Sequence, residues 1–378
     1  MRIIHISDNS YPTMGGVERV VHELAKEQTK NGHRVHVFSQ HQQIGKLGTE
    51  TFEYEGVSYT KLPRLTFPIL ASHYATCFRP NVVHLNSYLC AKSFKNWRTA
   101  PVLRHIHDVY GLNSELYFGF GVGMMTPTLE RITVDGFESY LVPSESTNRK
   151  LRGILSRRKR IWTVPNGVDT QVFRPQPSGE LRRRVCASDK SKIIGFVGRI
   201  AIGKGALDAY IASAPSLRRY DARLVYLGSS ETVVSSGQAS AAHLIRKYAS
   251  RDGLLSKVAF ILNPPDTVLA RAYSDMDLLV LPSMSEGFGL AAVEAAACGT
   301  PCLAYDSGSL PEVIVDKVTG LIVKQGDLPS LAAHVERFAS GDLSKEAFTE
   351  NCIKRGSSYD WKVLASRVDE IYSALQSA

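Results

Sequence analysis

Apolar and polar positions along the chain follow two rhythms in turn. RIIHIS (residues 2–7) and RVHVFS (34–39) are short apolar runs, and between them apolar residues fall at 17, 20, 21, 24 and 25. The spacing predicts a helix, and the runs predict buried strands. A polar turn, DNSYPTMGG (8–16), precedes the helix, and Asn31-Gly32 stops it. Strand, loop, helix and strand in that order imply parallel pairing, because parallel neighbours need a crossover between them.

The pattern recurs in VVHL (82–85), PVLRHIH (101–107), YLVP (140–143) and IWTVP (161–165). NGVDTQVFRPQPSG (166–179) then concentrates turn formers and predicts a linker. Beyond it the rhythm restarts with KIIGFVG (192–198), ARLVYLG (222–228), KVAFIL (257–262), DLLVLP (277–282) and PCLAY (301–305). A second doubly wound parallel sheet is the natural reading. The end, DWKVLASRVDEIYSAL (360–375), has apolar residues at 361, 363, 364, 368, 371, 372 and 375, which predicts an amphipathic helix. Ligands in open α/β sheets bind outside the carboxyl ends of the strands.

Composition adds limits. A chain of 378 residues, 44% apolar and 21% charged, is expected to form two soluble domains. No apolar run approaches the roughly 18 residues needed to cross a bilayer. The start, MRIIHISDN, reads as a strand, so no secretion signal is expected. Six scattered cysteines form no CxxC pair, so neither zinc nor a disulfide framework is expected, and the reducing cytoplasm is the expected compartment. The net charge of +9 gathers at Arg149, Lys150 and Arg152, at Arg157–Arg160, and at Arg182–Arg184. A solvated basic surface and attraction to anionic lipid headgroups both fit. Nucleic acid fits less well, because no recognition motif accompanies the charge.

Two stretches could carry chemistry. GRIAIGKG (198–205) follows a strand and nearly matches the phosphate loop of ATP-hydrolysing enzymes, but Gly205 stands where that loop has the Ser or Thr that reaches magnesium. A strand, a glycine loop and a helix start still present amides and a positive helix end to an anion, with Arg199 and Lys204 adding charge. A tight turn without ligand is the plain alternative. SEGFGLAAVEAAACGTP (285–301) places Glu286 in a loop, brackets Phe288 with Gly287 and Gly289, and starts a helix near Leu290. Glu286 alone could be a helix-start carboxylate. Glu294 lies about two helical turns on, facing a related side, among small apolar residues, and there a charge needs a partner.

These motifs resemble the retaining glycosyltransferases of family 4, which have the GT-B fold: α/β, with two Rossmann-like domains facing a central cleft. The resemblance spans nearly the whole chain. Glu286-x7-Glu294 is similar to the family's paired-glutamate motif, and GRIAIGKG to its G-R-[LI]-x-x-x-K-G. Gly15-Gly16-Val17-Glu18-Arg19 resembles its first glycine loop, Asn166-Gly167-Val168-Asp169 its linker edge, and YDWKVLASRVDEIY its last helix. The resemblance implies an acceptor-binding domain at 1–168, a nucleotide-sugar domain at 169–357, and a helix at 358–378 that crosses back to the first domain. Arg199 and Lys204 would hold the donor diphosphate with no metal and no other cofactor. Glu286 would meet the donor sugar, the backbone of Phe288, Gly289 and Leu290 its phosphate, and Glu294 the ribose. Gly15 and Gly16 would let their loop close on the phosphates, and His107, in HIHD, would stand near the donor sugar. His84 and His105 read as strand residues.

The expected activity is transfer of a hexose from GDP-mannose or a UDP-hexose to a glycan acceptor, which a lipid could carry at the cytoplasmic face of a membrane. A nucleotide-sugar epimerase and a non-catalytic sugar-nucleotide-binding subunit share the fold. Two stretches depart from the family or stand outside its motifs. VAFILNPPD (258–266) lacks the family's glycine near Leu262, beside the nucleotide base. YGLNSELYFGFGVGMMTPT (110–128) carries GxGxG without a preceding strand and reads as an acceptor-side loop, in which Tyr117, Phe118 and Phe120 could touch a membrane.

Overall fold

The candidate residues His107, Arg199 and Glu286 stand in loops that follow strands. The computed structural model describes residues 1–11, 15–43, 45–109, 128, 130–229 and 240–377. By internal contacts these divide into two units. One takes the described residues up to Gly167 together with those from Trp361 on, and the other takes Val168–Asp360. The sequence reading sets its boundaries after residues 168 and 357.

In the first unit the described strands are β1 (Arg2–Ile6), β2 (Arg34–Gln40), β3 (Glu50–Tyr54), β4 (Val57–Leu62), β5 (Val82–Leu85), β6 (Val102–His105), β7 (Ser139–Val142) and β8 (Arg160–Thr163). Their order is β3-β4-β2-β1-β5-β6-β7-β8. Every pairing is parallel except β3 with β4, an edge hairpin that the apolar runs do not announce. The second unit holds β9 (Lys192–Val197), β10 (Ala222–Gly228), β11 (Val258–Leu262), β12 (Leu278–Leu281), β13 (Cys302–Tyr305) and β14 (Gly320–Val323), in the order β11-β10-β9-β12-β13-β14. Both sheets start in the middle and wind outward both ways, the doubly wound plan in which the strand order reverses at a switch point. That point lies between β1 and β5 in one unit and between β9 and β12 in the other.

Helices cover the sheets with apolar faces. Gly16–Lys30 buries Val20, Val21, Leu24 and Ala25, and Ala206–Arg219 buries Ala209, Tyr210 and Leu217. The final helix, Trp361–Gln376, buries Trp361, Leu364, Val368, Ile371 and Tyr372. Its start explains Gly167, where a Cβ would fall 2.4 Å from the Trp361 ring. All six cysteines are free thiols.

The first sheet carries polar side chains in its centre. His5 on β1, His84 on β5 and His105 on β6 are all buried. His5 Nε2 meets Gln28 Oε1 at 2.8 Å, and Gln28 donates to Asp369 of the final helix at 3.0 Å. His84 bonds the Tyr372 hydroxyl through Nδ1 and His105 through Nε2, the latter at 3.0 Å. Burial holds these imidazoles neutral: His5 falls to about 4, and His84 and His105 well below the usual histidine range.

The sign of the pH effect follows. The unfolded chain takes up protons near pH 6.5 that the folded chain refuses, so folding is strongest above that pH and weakens as pH falls toward 4. Each such histidine contributes on the order of 1 kcal/mol per pH unit in that window. The urea midpoint is expected to drop steeply between pH 7 and pH 5, above the carboxylate range. A flat profile there would contradict a neutral histidine core.

Candidate active site

In the second unit the loop after β9 runs through Gly198 and Arg199 to a short 3-10 turn, Ile202–Lys204, and enters the helix Ala206–Arg219 through Gly205. Gly205 has φ of 72°, and a Cβ there would stand 1.9 Å from the Pro282 carbonyl oxygen. Main chain cannot yield, so this position has to be glycine. The hydroxyl that the ATPase loop needs is therefore sterically excluded. The same close approach laces the loops after β9 and β12 together: Met284 N donates to Gly203 O at 3.1 Å, and Ser283 Oγ to Lys204 O at 3.4 Å.

The lacing brings Lys204 Nζ to 2.9 Å from Glu286 Oε1, both side chains being partly buried. Ser283 Oγ donates to the same oxygen at 2.9 Å. The Glu286 carbonyl accepts from Ser309 N at 3.0 Å and from Ser309 Oγ at 3.1 Å. Arg199 is exposed on the loop after β9. Gly289 adopts φ of 90° and opens the helix Leu290–Ala297, whose first amides lack helical partners. Phe288 is buried, edge-on to Tyr359 at 5.7 Å between ring centres.

The two glutamates do not share a helix face. The helix begins only at Leu290, so Glu286 lies outside it, held by Lys204 and Ser283. Glu294 is buried inside it, 3% exposed, and its Oε2 accepts from the Tyr273 hydroxyl at 2.9 Å. At the end of β11, Asn263 has φ of 49°. The left-handed turn that a glycine near Leu262 would serve is thus made by an asparagine, which tolerates it.

In the first unit Gly15 precedes the helix Gly16–Lys30. Its φ of −168° is extended backbone, so conformation does not require glycine. A Cβ would fall 1.9 Å from Glu18 Oε2, the end of a flexible side chain, so a larger residue here would displace the Glu18 carboxylate. Glu18, three positions on, folds back over the helix start and accepts from Asn9 Nδ2 at 3.1 Å. A cavity of about 170 Å³ opens beside it, lined by Ser7, Asp8 and Asn9 after β1, Val17 and Glu18 of the helix, Asn86 and Tyr88 after β5, and His107 and Asp108 after β6. Ser87 Oγ and Tyr88 N donate to Asp8. His107 Nε2 meets Asn86 Oδ1 at 2.9 Å, and its ring stacks on His105 with centres 3.9 Å apart. Burial, helped by the Arg104 guanidinium, lowers the imidazole to about 3. With Asn86 accepting, Nε2 carries the proton and Nδ1 the lone pair.

Sequence reasoning finds Gly15, Gly16 and His107 here but misses Asp8, Asn9, Glu18, Asn86, Tyr88 and Asp108 as cavity residues. Except for Glu18, which lies in the helix, their shared signal is position: SDN, NSY and HD each follow a buried parallel strand. Among the described residues one group has metal-ligand spacing, His22, Glu23 and Glu55. Lys26 Nζ already lies 3.0 Å from Glu23 and 3.2 Å from Glu55, where a cation would sit. Of the basic clusters, Lys150 pairs with Asp108, Lys159 with Glu138 and Arg182 with Asp277. Arg149, Arg152, Arg157, Arg158 and Arg160 are exposed. No described helix is long and apolar enough to cross a membrane. The GxGxG stretch with Tyr117, Phe118 and Phe120 lies outside the described residues.

Comparison with known proteins gives concordant matches. The family described as "Glycosyltransferase Family 4" matches residues 14–172, and "Glycosyl transferases group 1" matches residues 178–355. A D-inositol 3-phosphate glycosyltransferase of Segniliparus rotundus is 35% identical over 187 residues, 47% of this chain and 40% of that protein. At that level of identity the chain spans about half the length of the curated relatives it matches. A Corynebacterium urealyticum protein of the same name is 25% identical over 99% of this chain and 96% of its own. A sucrose-phosphate synthase of Thermosynechococcus elongatus superposes with a TM-score of 0.83 at 21% identity, covering 99% of each chain. HepE of Anabaena, solved with UDP-glucose, gives 0.78 at 18% identity, covering 99% of this chain and 100% of its own. The α/β architecture of two Rossmann-like sheets is the GT-B one.

One variant isolates the role of Gly205. Gly205→Ser restores the letters of the ATPase loop, yet it is expected to destabilise the fold by about 1–3 kcal/mol, through positive φ and the collision with Pro282. Urea unfolding measures the loss. An unchanged midpoint would show that the loop can open there.

Proposed function

We propose, for a chain that belongs to the group 1 and family 4 glycosyltransferases, that it moves a hexose from a nucleotide-diphosphate sugar to a hydroxyl of a glycan or other polyol, with the anomeric configuration retained. The observation that carries this reading is the Lys204–Glu286 pair at the second switch point, with Arg199 on the same loop. Relatives named as glycosyltransferases and a neighbour solved with UDP-glucose support it. The donor is a UDP-hexose or GDP-mannose.

Breaking the bond between sugar and nucleotide builds negative charge on the diphosphate and positive character on the ring. In this reading Arg199 and Lys204 meet that negative charge as it develops. Glu286, oriented by Lys204 and Ser283, accepts from the hexose hydroxyls, and the amides of Phe288, Gly289 and Leu290 face the phosphate. Glu294, steadied by Tyr273, takes the ribose. Gly15 and Gly16 admit the phosphates beside the helix start once Glu18 swings aside, because its carboxylate fills the space at Gly15. His107, held neutral, offers Nδ1 as an acceptor near the donor sugar. The leaving phosphate takes the acceptor proton, so two cations serve the diphosphate and no metal enters the scheme. A subunit that only binds sugar nucleotides would retain the same residues and show no turnover.

Lys204→Ala and Glu286→Ala are each expected to lower kcat/KM by at least about a hundredfold, the usual loss for an electrostatic contact to a transition state. Stability should change by no more than about 1 kcal/mol, because the pair is partly solvated. Nucleoside diphosphate release from UDP-glucose and GDP-mannose, with glycan acceptors present, checks this. Wild-type turnover that survives both substitutions would refute the assignment.

Membrane contact is a separate part of the proposal. It rests on the exposed Arg149, Arg152, Arg157, Arg158 and Arg160. Co-sedimentation with anionic vesicles is expected to weaken as salt rises. Binding indifferent to salt would contradict an electrostatic attachment.

A further inference from the structure

We infer that Arg104 is a positioning residue for His107: it binds the two carbonyls that flank Asn86, and so fixes the amide that holds His107 as the tautomer with its proton on Nε2. The inference deepens the transferase reading and rests on it only for what that tautomer does in turnover.

Arg104 lies on β6 and is fully buried. Among the described residues no carboxylate forms an ion pair with it, and its Nε and Nη2 have no hydrogen-bond partner. A lone buried cation costs stability, and an apolar side chain of similar length would pack there without that cost. Stability therefore does not account for an arginine at this position, but its contacts do. The guanidinium carbon lies 4.8 Å from the centre of the Tyr88 ring and 6.0 Å from that of Phe137, two π faces that hold the cation where no anion does.

What the cation binds is main chain. Nη1 donates to Leu85 O and to Ser87 O, each at 2.9 Å. Arg104 is the partner of Leu85 in the parallel register, so its side chain reaches the turn that follows β5. The amides of that turn are held from the opposite neighbour, β1: Asn86 N and Ser87 N both donate to Ile6 O, at 2.8 and 3.0 Å. Asn86 is thus fixed from both adjoining strands. Its side-chain amide then has one orientation. Nδ2 donates to the His84 carbonyl at 3.4 Å, an atom that can only accept, so Oδ1 is the atom that meets His107 Nε2 at 2.9 Å. An acceptor there requires the proton on Nε2 and leaves the lone pair on Nδ1.

Arg104 and His105 leave β6 on opposite faces, and the His107 ring stacks on His105. Arg104 therefore acts on His107 through the turn and not by contact. Its charge works in the same direction at longer range, because it opposes a second proton on the imidazole. A histidine that is to accept from a substrate hydroxyl needs both effects, a chosen tautomer and no charge.

Long-range proton–nitrogen NMR correlations report imidazole tautomers, and the full chain labelled at histidine serves for the test. The His107 signals are those lost in His107→Gln. The wild type is expected to show His107 as one tautomer, protonated on Nε2. Arg104→Met, its fold checked by near-UV circular dichroism, is expected to give a mixture of tautomers. Arg104→Lys, whose ammonium can still donate to the carbonyls, is expected to restore the single one. Should Arg104→Met not fold, Arg104→Gln, shorter and uncharged, carries the same expectation. With UDP-glucose or GDP-mannose and glycan acceptors, kcat of Arg104→Met is expected to fall about ten- to a hundredfold, as for a misplaced catalytic group, with a smaller change in donor KM. A wild-type His107 protonated on Nδ1 would overturn the inference. So would a single Nε2-protonated tautomer that persists in folded Arg104→Met or Arg104→Gln. Should the tautomers mix as expected while wild type and variant turn over alike, or while neither releases nucleoside diphosphate, the part given to His107 in transfer fails and the positioning by Arg104 stands.

Discussion

The reversal of strand order governs the rest of this structure. Where neighbouring parallel strands send their crossovers in opposite directions, the loops beyond their carboxyl ends cannot close over each other, and a crevice remains. This happens twice, between β1 and β5 and between β9 and β12. The crevice in each unit is stabilised by lacing its loops. In the second unit Gly205 presses on the Pro282 carbonyl, and Ser283 and Met284 bond back to the first loop. In the first unit Asp8, after β1, accepts from Ser87 and Tyr88, after β5. One topological solution thus carries two opposite chemistries: Arg199 and Lys204 at one switch point, Asp8 and Glu18 at the other.

Most of the framework is legible in the sequence because parallel strands buried on both faces read as unbroken apolar runs. VVHL coincides with β5, and KIIGFVG extends β9 by one residue. The hairpin β3–β4 escapes for the converse reason. Its edge strand β3 has only exposed and half-exposed positions, and β4 interleaves the polar Ser58, Thr60 and Lys61 with its buried apolar residues, so TFEYEGVSYT shows no apolar run. Its turn is marked only by Glu55 and Gly56, both at positive φ, the backbone of a tight hairpin turn. An asparagine at the first position would have announced it; a glutamate does not.

The site divides the same way. Arg199, Lys204 and Glu286 stand in glycine-rich stretches whose letters constrain one another, so local sequence reveals them. Asp8, Asn86 and Asp108 are single polar residues after strands, and in sequence such residues are indistinguishable from turn formers. Only the parallel register, which aligns the ends of β1, β5 and β6, brings them around one cavity. Glycine roles are similarly hidden. Gly15 and Gly205 look alike as letters, yet Gly205 is needed for backbone conformation and clearance from main chain, whereas Gly15 only makes room for a carboxylate.

The buried histidines connect these features to the end of the chain. Aliphatic side chains would pack the middle of β1, β5 and β6 without desolvation cost, so the imidazoles there need a structural reason. Their partners supply one. His84 reaches Tyr372, and His5 reaches Asp369 through Gln28, so the first sheet is hydrogen-bonded to the final helix through bonds that span 288 and 341 residues of sequence. His84 also bonds His105, and His105 stacks on His107 at the cavity wall. Docking of the last helix and the orientation of the cavity histidine therefore belong to one polar network. A network of buried groups is favourable only when its members are satisfied together. The partners of His84 and Gln28, Tyr372 and Asp369, come only with the sixteen residues of the final helix, which makes that helix part of the polar network behind the cavity as well as a cover for the sheet.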